Sequence, residues 1–296
     1  MKTLAALSTG LKRSIKIWKG ILIVWFVCMS LVAFLVIPFR SSMKAGFGSS
    51  MITEELLNGI NIEILSDLAP VTKSLMSLFS TGLFIALLLG IIMNAFLSGG
   101  LFNSIKAGAG RFSASDFFKA SARNFWSFLL ITLVISVVIV LLLLFIFIVP
   151  VALVAQAEPD TERVLFLTGI IAGSVFIFIL IIFLLVTDYA RAWNVTRETP
   201  SGFKAIGFGL SRTFGRFRSS FPLMLVIGVI QVLFGAAVIY LVGVWKPVTG
   251  WGVFLLFLVS QALFIIKILI KTWRYASVTN LMELNDKTTT GEVINL

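Results

Sequence analysis

The sequence predicts an all-α membrane protein with six transmembrane helices and cytoplasmic interfacial amphipathic helices. Hydrophobic residues make up 59% of its 296 residues and charged residues 12%, whereas globular proteins average about 45–50% and 25%. The apolar runs at 128–149 and 164–186 contain no charged residue. Because about 20 apolar residues are enough to cross the hydrocarbon layer, lipid must surround most of this chain.

The first element is a basic segment followed by an apolar stretch at 20–39. Four lysines and arginines between Lys12 and Lys19 precede this stretch. A cleaved signal peptide has a hydrophobic region of about 7–15 residues, so the longer stretch here indicates a retained membrane helix. The single cysteine, Cys28, lies inside it, which excludes an intrachain disulfide and a metal site built from several thiolates.

Five further apolar runs predict the remaining spans, at 75–98, 126–151, 163–187, 221–245 and 251–273. The six spans form one predicted domain over 1–275, and 276–296 is predicted to be a polar cytoplasmic tail. If the amino terminus is cytoplasmic, 19 of the 24 lysines and arginines lie on the cytoplasmic side. The excess of positive charge in cytoplasmic loops therefore predicts that both termini are cytoplasmic.

The long segment between the first two spans, 40–73, carries apolar residues at helical spacing from Met51 to Leu68. This spacing predicts a helix on the outer surface, packed on the ends of the spans.

Basic amphipathic stretches lead into the first, third and fifth spans, at 11–19, 117–126 and 203–221. In the third stretch, apolar residues recur every three or four positions between 203 and 217, as in a helix that lies in the membrane interface. The basic residues between them predict binding to anionic phospholipid headgroups rather than to nucleic acid. They are Lys204, Arg212, Arg216 and Arg218.

The matching triplets Phe118-Lys119-Ala120 and Phe203-Lys204-Ala205 suggest a threefold repeat. Its unit would be an interfacial entry helix, an ascending span and a descending span. The alternative is that any cytoplasmic entry to a membrane helix collects lysine, arginine and phenylalanine.

The sequence offers little catalytic chemistry. It contains no histidine, the commonest general base and metal ligand. Its acidic residues cluster in the predicted outer loops, and it has no GxxxxGK[ST] phosphate loop. We therefore predict no catalytic residue, no metal site and no cofactor.

Two polar features inside or beside the spans predict pairs. Asp188 ends the fourth span, where an acid needs a partner; we expect an ion pair with Arg191 or with an arginine of the third basic stretch, the alternative being a substrate or ion ligand. Gln231 and Gln261 each lie ten residues into a span of the last hairpin, so they are predicted to hydrogen-bond at the same depth. The alternative is a polar midplane site shared with Ser30, Ser136 and Ser174.

Three short strings carry a resemblance: Phe117-Phe118-Lys119-Ala120, Asp188-Tyr189-Ala190-Arg191 and Ser201-Gly202-Phe203-Lys204-Ala205. With them the chain resembles poorly characterised bacterial six-helix integral membrane proteins, including the membrane domain attached to some glycerophosphodiester phosphodiesterases. The resemblance implies a location in the bacterial inner membrane. The spans consume the chain, so phosphodiesterase activity does not carry over. We expect a non-enzymatic membrane protein that scaffolds or assists a complex with a membrane protein partner, or organises lipid. The alternative is a small-solute or lipid transporter.

Overall fold

A computed structural model describes residues 2–47, 69–107, 112–157, 162–197 and 201–294, and within these ranges the chain is helical and contains no strand. The helices are α1 Lys2–Lys16, α2 Trp18–Phe47, α3 Ala69–Ala107, α4 Ala114–Leu143, α5 Val149–Gln156, α6 Glu162–Val195, α7 Gly202–Gly215, α8 Phe217–Val244 and α9 Gly250–Ile294. The chain separates into two compact units, where the sequence predicted one domain: Met1–Ile23 with Ala95–Leu296, and Val24–Asn94.

Within the described residues, five helices are long and apolar enough to cross a membrane. They are Ser80–Lys106, Ala114–Gln156, Glu162–Val195, Phe217–Val244 and Gly250–Asp286. The bent pair Thr3–Lys16 and Trp18–Phe34, with an angle of 67°, makes a sixth if it counts as one span. Large apolar side chains such as Val232 and Ile239 are 71% and 75% exposed, as expected where lipid replaces a protein core. The all-helical class is therefore confirmed, with five or six helices able to span a membrane in the described part of the chain.

The second unit, Val24–Asn94, contains most of α2 and the first part of α3. Ser30 is exposed there, and its hydroxyl donates to the Phe26 carbonyl at 2.9 Å, so its polar group is satisfied within its own helix. The surface helix predicted between Met51 and Leu68 lies outside the described residues.

A π-helical turn at Leu144–Ile148 joins α4 to α5. Pro150 stands at the start of α5 and cannot donate a hydrogen bond, and its ring would clash with the carbonyl four residues earlier. A wider turn accommodates both effects. The result is a single apolar helical segment of 43 residues, Ala114–Gln156.

The end of the chain differs from the predicted polar tail. Helix α9 continues without interruption to Ile294, and Ala276, Val278 and Leu281 are fully buried. These residues pack beside α1, whose Leu7 carbonyl accepts a hydrogen bond from Trp273 Nε1 at 2.9 Å. The apolar face of residues 276–282 therefore extends the core, although polar residues around it give the segment a hydrophilic composition.

The entry helices, which are α1, the first part of α4 and α7, are buried at equivalent positions. Helix α1 ends at Lys16 and α2 begins at Trp18, and α7 and α8 repeat this junction at Gly215 and Phe217, 199 positions later in both cases. Buried residues recur every fourth position in each entry helix. They are Ala6, Gly10 and Ser14 in α1, Ala120, Asn124 and Phe128 in α4, and Ala205, Gly209 and Thr213 in α7. Shared burial, beyond shared composition, favours the threefold repeat over the alternative.

Each entry helix packs on a return helix. The return helices are α3, α6 and α9, and each of them leads back to the ends of the spans where the entry helices lie. We call this end, rich in lysine and arginine, the basic end. Small residues permit the close approach. A Cβ at Gly209 of α7 would lie 2.5 Å from the Val186 oxygen of α6, and one at Gly10 of α1 would lie 2.8 Å from Ser277 Cα of α9. A Cβ at Gly100 of α3 would lie 2.6 Å from Ser121 Oγ, a side-chain atom near the start of α4. The contact between α1 and α9 completes the three pairs of entry and return helices.

Candidate functional site

A cluster of buried polar side chains lies at the basic end of the first unit. Its centre is an ion pair between two return helices, in which Arg274 Nε of α9 lies 2.7 Å from Asp188 Oδ2 of α6. Asp188 is fully buried and Arg274 is 9% exposed. Asp188 has the ionic partner that the boundary position predicted, but the partner is Arg274 and not Arg191.

Arg191 belongs to the same cluster with different contacts. Its guanidinium donates to Thr132 Oγ1 of α4 at 2.8 Å and to the Tyr275 hydroxyl at 3.4 Å, and it lies over the Phe128 ring, 5.6 Å from the centroid. Arg191 therefore ties α6 to α4 and α9, which explains why it is not the direct partner of Asp188.

Two tyrosines at matching positions complete the cluster. The Tyr189 hydroxyl is hydrogen-bonded to Ser220 Oγ of α8 at 2.7 Å, and Tyr275 stacks on Phe102 of α3 with centroids 4.5 Å apart. Both tyrosines are fully buried. In both α6 and α9 the ion-pair residue directly precedes a Tyr-Ala pair, at 188–190 and 274–276. The match between these two strings is the sequence signal that could have identified Arg274 as the partner of Asp188.

Asn194 joins the end of α6 to the two neighbouring entry helices. Its amide donates to Asn124 Oδ1 at 3.4 Å, and its own oxygen accepts from the Ser201 backbone N–H at 3.0 Å. These contacts position the start of α7 beside α4. In the described part of the chain, no group of three or more histidine, cysteine, aspartate or glutamate side chains could hold a metal ion.

The four residues that were predicted to bind lipid separate into two kinds. Lys204 and Arg218 are exposed, so their charges are accessible to a headgroup. Arg212 forms an ion pair with Asp286 of α9, and its side chain is 17% exposed. Arg216 is half-buried at the junction between α7 and α8. The arrangement therefore leaves Lys204 and Arg218 as the clearest candidates for lipid contact.

The apolar stripe of α7 faces outward. Phe203 and Phe214 are 70% and 61% exposed, while the small residues Ala205 and Gly209 form the face that packs on protein. The stripe consequently does not serve as the protein-packing face of this helix. Helix α1 repeats the pattern with its own exposed apolar residues, which are Leu4, Leu11 and Ile15.

Gln231 lies in a cavity of about 430 Å³ between α8 and α9, and Lys267 lines the same cavity. Gln261 is half-buried in α9. The hydrogen bond between the two glutamine side chains stays a prediction. Gln231 of α8 and Lys267 of α9 therefore line one cavity.

Comparisons with protein families, with curated proteins and with solved structures found no match to this chain. The resemblance to the membrane domain attached to some glycerophosphodiester phosphodiesterases therefore rests on its three short strings and stays an expectation.

Proposed function

We propose that this chain is a non-enzymatic integral membrane protein that gathers anionic phospholipid headgroups around its basic end. The observation that carries the proposal is the outward apolar stripe on α1 and α7, with exposed basic residues beside it. An apolar stripe next to basic residues is the pattern of helices that lie in the headgroup region.

The two interfacial helices present the same faces in the same order around the helix axis. In α1 the exposed Leu4, Leu11 and Ile15 lie between the buried Ala6–Gly10–Ser14 face and the exposed Lys12 and Lys16. In α7 the exposed apolar stripe lies between the packed small residues and a polar face that carries Lys204. One helix face is thus available for protein, one for acyl chains and one for headgroups and water.

The distribution of charge supports anionic lipid as the partner. If the basic end is cytoplasmic, 19 of the 24 lysines and arginines face the cytoplasmic leaflet. Anionic lipids concentrate there, and each lysine or arginine near such a surface contributes about 1 kcal/mol of attraction. We therefore infer an inner-membrane protein with both termini in the cytoplasm.

The proposal is tested by native mass spectrometry of the purified protein with phosphatidylglycerol or phosphatidylcholine. We expect a preference for phosphatidylglycerol that weakens as salt is raised. The variant Lys204→Gln/Arg218→Gln should lose several-fold of this preference, since about 1 kcal/mol per charge corresponds to roughly a fivefold change.

The matched control is Arg163→Gln/Lys246→Gln, which removes two charges from the opposite ends of the spans. It should keep the preference for phosphatidylglycerol. Equal preference in the wild type and in Lys204→Gln/Arg218→Gln would reject the proposed role of α7.

A second candidate, a lipid transporter, is favoured by the cavity that Gln231 and Lys267 line between α8 and α9. A lysine inside a membrane span is costly and often marks a substrate pathway. Vesicles carrying the protein and a fluorescent lipid would reveal movement between leaflets, and Lys267→Gln should slow it. Movement equal to that in protein-free vesicles would exclude this candidate and leave the lipid-gathering role intact.

A further inference from the structure

A second cavity, of about 480 Å³, opens at the basic end of the first unit. It is lined by the ends of the return helices α3, α6 and α9 and by Phe208 of α7. None of the outward stripe residues of α1 and α7 lines it. We refer to this cavity as the basic-end pocket.

Equivalent positions of the three return helices line the basic-end pocket. Each helix contributes two residues whose positions are set by an asparagine near its end. One residue directly precedes the asparagine, and the other follows the asparagine by three positions. The first set is Phe102, Trp193 and Thr279, and the second set is Lys106, Arg197 and Glu283. The threefold repeat therefore builds the pocket, with an inner layer that is mostly aromatic and an outer layer of three charged residues.

The two acidic side chains of the pocket are both neutralised by entry helices. Glu283 forms an ion pair with Arg13 of α1 at 2.9 Å, and Asp286 forms one with Arg212 of α7. Arg13 and Arg212 occupy the same position in the register that relates α1 to α7. The pocket thus retains the charge of its two remaining cations.

These cations are Lys106 of α3 and Arg197 of α6, both exposed at the pocket. Among the described residues, neither forms an ion pair. The Arg197 guanidinium lies over the Trp193 ring, 4.6 Å from its centroid, and Trp193 stacks on Phe208 at 5.3 Å. Contact with the stacked rings holds the guanidinium plane in place and restricts the directions in which its N–H groups can donate.

We propose that the basic-end pocket binds a phosphomonoester group. A phosphomonoester carries a charge of about −1.5 to −2 at neutral pH, which matches two cations, whereas a carboxylate or a phosphodiester would balance only one. The arginine fork donates two parallel hydrogen bonds to phosphate oxygens, and lysine adds a point charge. The volume is in the range of sites for small organic ligands, so the aromatic layer has room to contact the group esterified to the phosphate.

The phosphomonoester could belong to a free solute or to the headgroup of phosphatidic acid, and the experiment has one arm for each source. In the first arm, the protein in neutral detergent is titrated with inorganic phosphate against sodium chloride at equal ionic strength, and the thermal unfolding midpoint is followed. In the second arm, the midpoint is compared in nanodiscs of phosphatidylcholine with and without phosphatidic acid.

We expect a saturable rise of the midpoint in at least one arm. Arg197→Gln and Lys106→Gln should each raise the apparent dissociation constant by about tenfold or more, since a hydrogen bond to a charged group contributes roughly 1.5–3 kcal/mol. The control Lys119→Gln removes an exposed charge outside the pocket and should bind as the wild type does.

A response in the detergent arm assigns the site to free phosphate compounds, and a response confined to nanodiscs assigns it to the lipid. No response in either arm, or wild-type binding by both pocket variants, would overturn the proposal. Its outcome is separate from that of the proposed function, because Lys204→Gln/Arg218→Gln should leave phosphate binding unchanged.

Discussion

Asp188 is fully buried and Arg274 is nearly so, so each charge depends on the other for compensation. Removing one member of such a buried pair leaves an unpaired charge and typically costs about 3–5 kcal/mol, while replacing both by apolar residues is often neutral. The pair connects α6 to α9 beside Arg191 and Tyr275, so its loss should loosen the basic end.

We predict that Asp188→Asn lowers the free energy of unfolding by about 3–5 kcal/mol, measured by denaturant titration in detergent. The double variant Asp188→Leu/Arg274→Met should be more stable than Asp188→Asn, because no buried charge remains unpaired. Glu283→Gln serves as the control at a partly exposed ion pair and should cost about 1 kcal/mol or less. Equal losses in the single and double variants would contradict the role assigned to the pair.

The need for a partner at Asp188 could be predicted from the sequence, because the cost of an acid at the membrane boundary depends only on its position. The identity of the partner could not, because Arg274 lies 86 residues away and the distance between them depends on how α6 packs against α9. Arg191 was the nearer choice along the chain, yet its position on α6 directs its guanidinium toward Thr132 of α4.

At the scale of the helices, glycine determines how closely an entry helix approaches a return helix. Gly209 and Gly207 are two residues apart in α7 but face different surroundings. A Cβ at Gly209 would lie 2.5 Å from the Val186 carbonyl oxygen, a backbone atom, and a Cβ at Gly207 would meet nothing within 4 Å. The same substitution therefore has opposite consequences at the two positions.

We predict that Gly209→Ala destabilises the protein by about 1–3 kcal/mol, since the helices must separate. Gly207→Ala should stabilise it by up to about 1 kcal/mol, because alanine favours a helix over glycine. Thermal unfolding in detergent would measure both. A stabilising Gly209→Ala would show that the contact between α6 and α7 is looser than described.

The helices themselves followed from apolar length and helical spacing. At the start of α4, Ser113 Oγ caps the helix by accepting a hydrogen bond from the Asp116 backbone N–H at 3.3 Å. The continuation of α9 past Tyr275 did not follow, because the segment has few apolar residues in total. Its apolar positions matter only once α1 is packed beside them, and that contact joins the two most distant helices of the chain.

At the scale of the whole molecule, the distribution of lysine and arginine predicts the topology. We expect a green fluorescent protein fused after Leu296 to fluoresce in bacteria and alkaline phosphatase at the same position to be inactive, because both termini are predicted to be cytoplasmic. Phosphatase inserted in the loop at 246–250 is the control and should be active. An active phosphatase after Leu296 would reverse the orientation.

The contact between α1 and α9 also determines an order of events during synthesis. Arg13 and Glu283, which form an ion pair across it, are 270 residues apart, so α1 can dock only after α9 has been translated. Such distant contacts form late, because the intervening chain must be ordered first. Until then the face of α1 that carries Gly10 stays uncovered, and we expect a nascent chain that stops before α9 to expose that face to quality-control proteases.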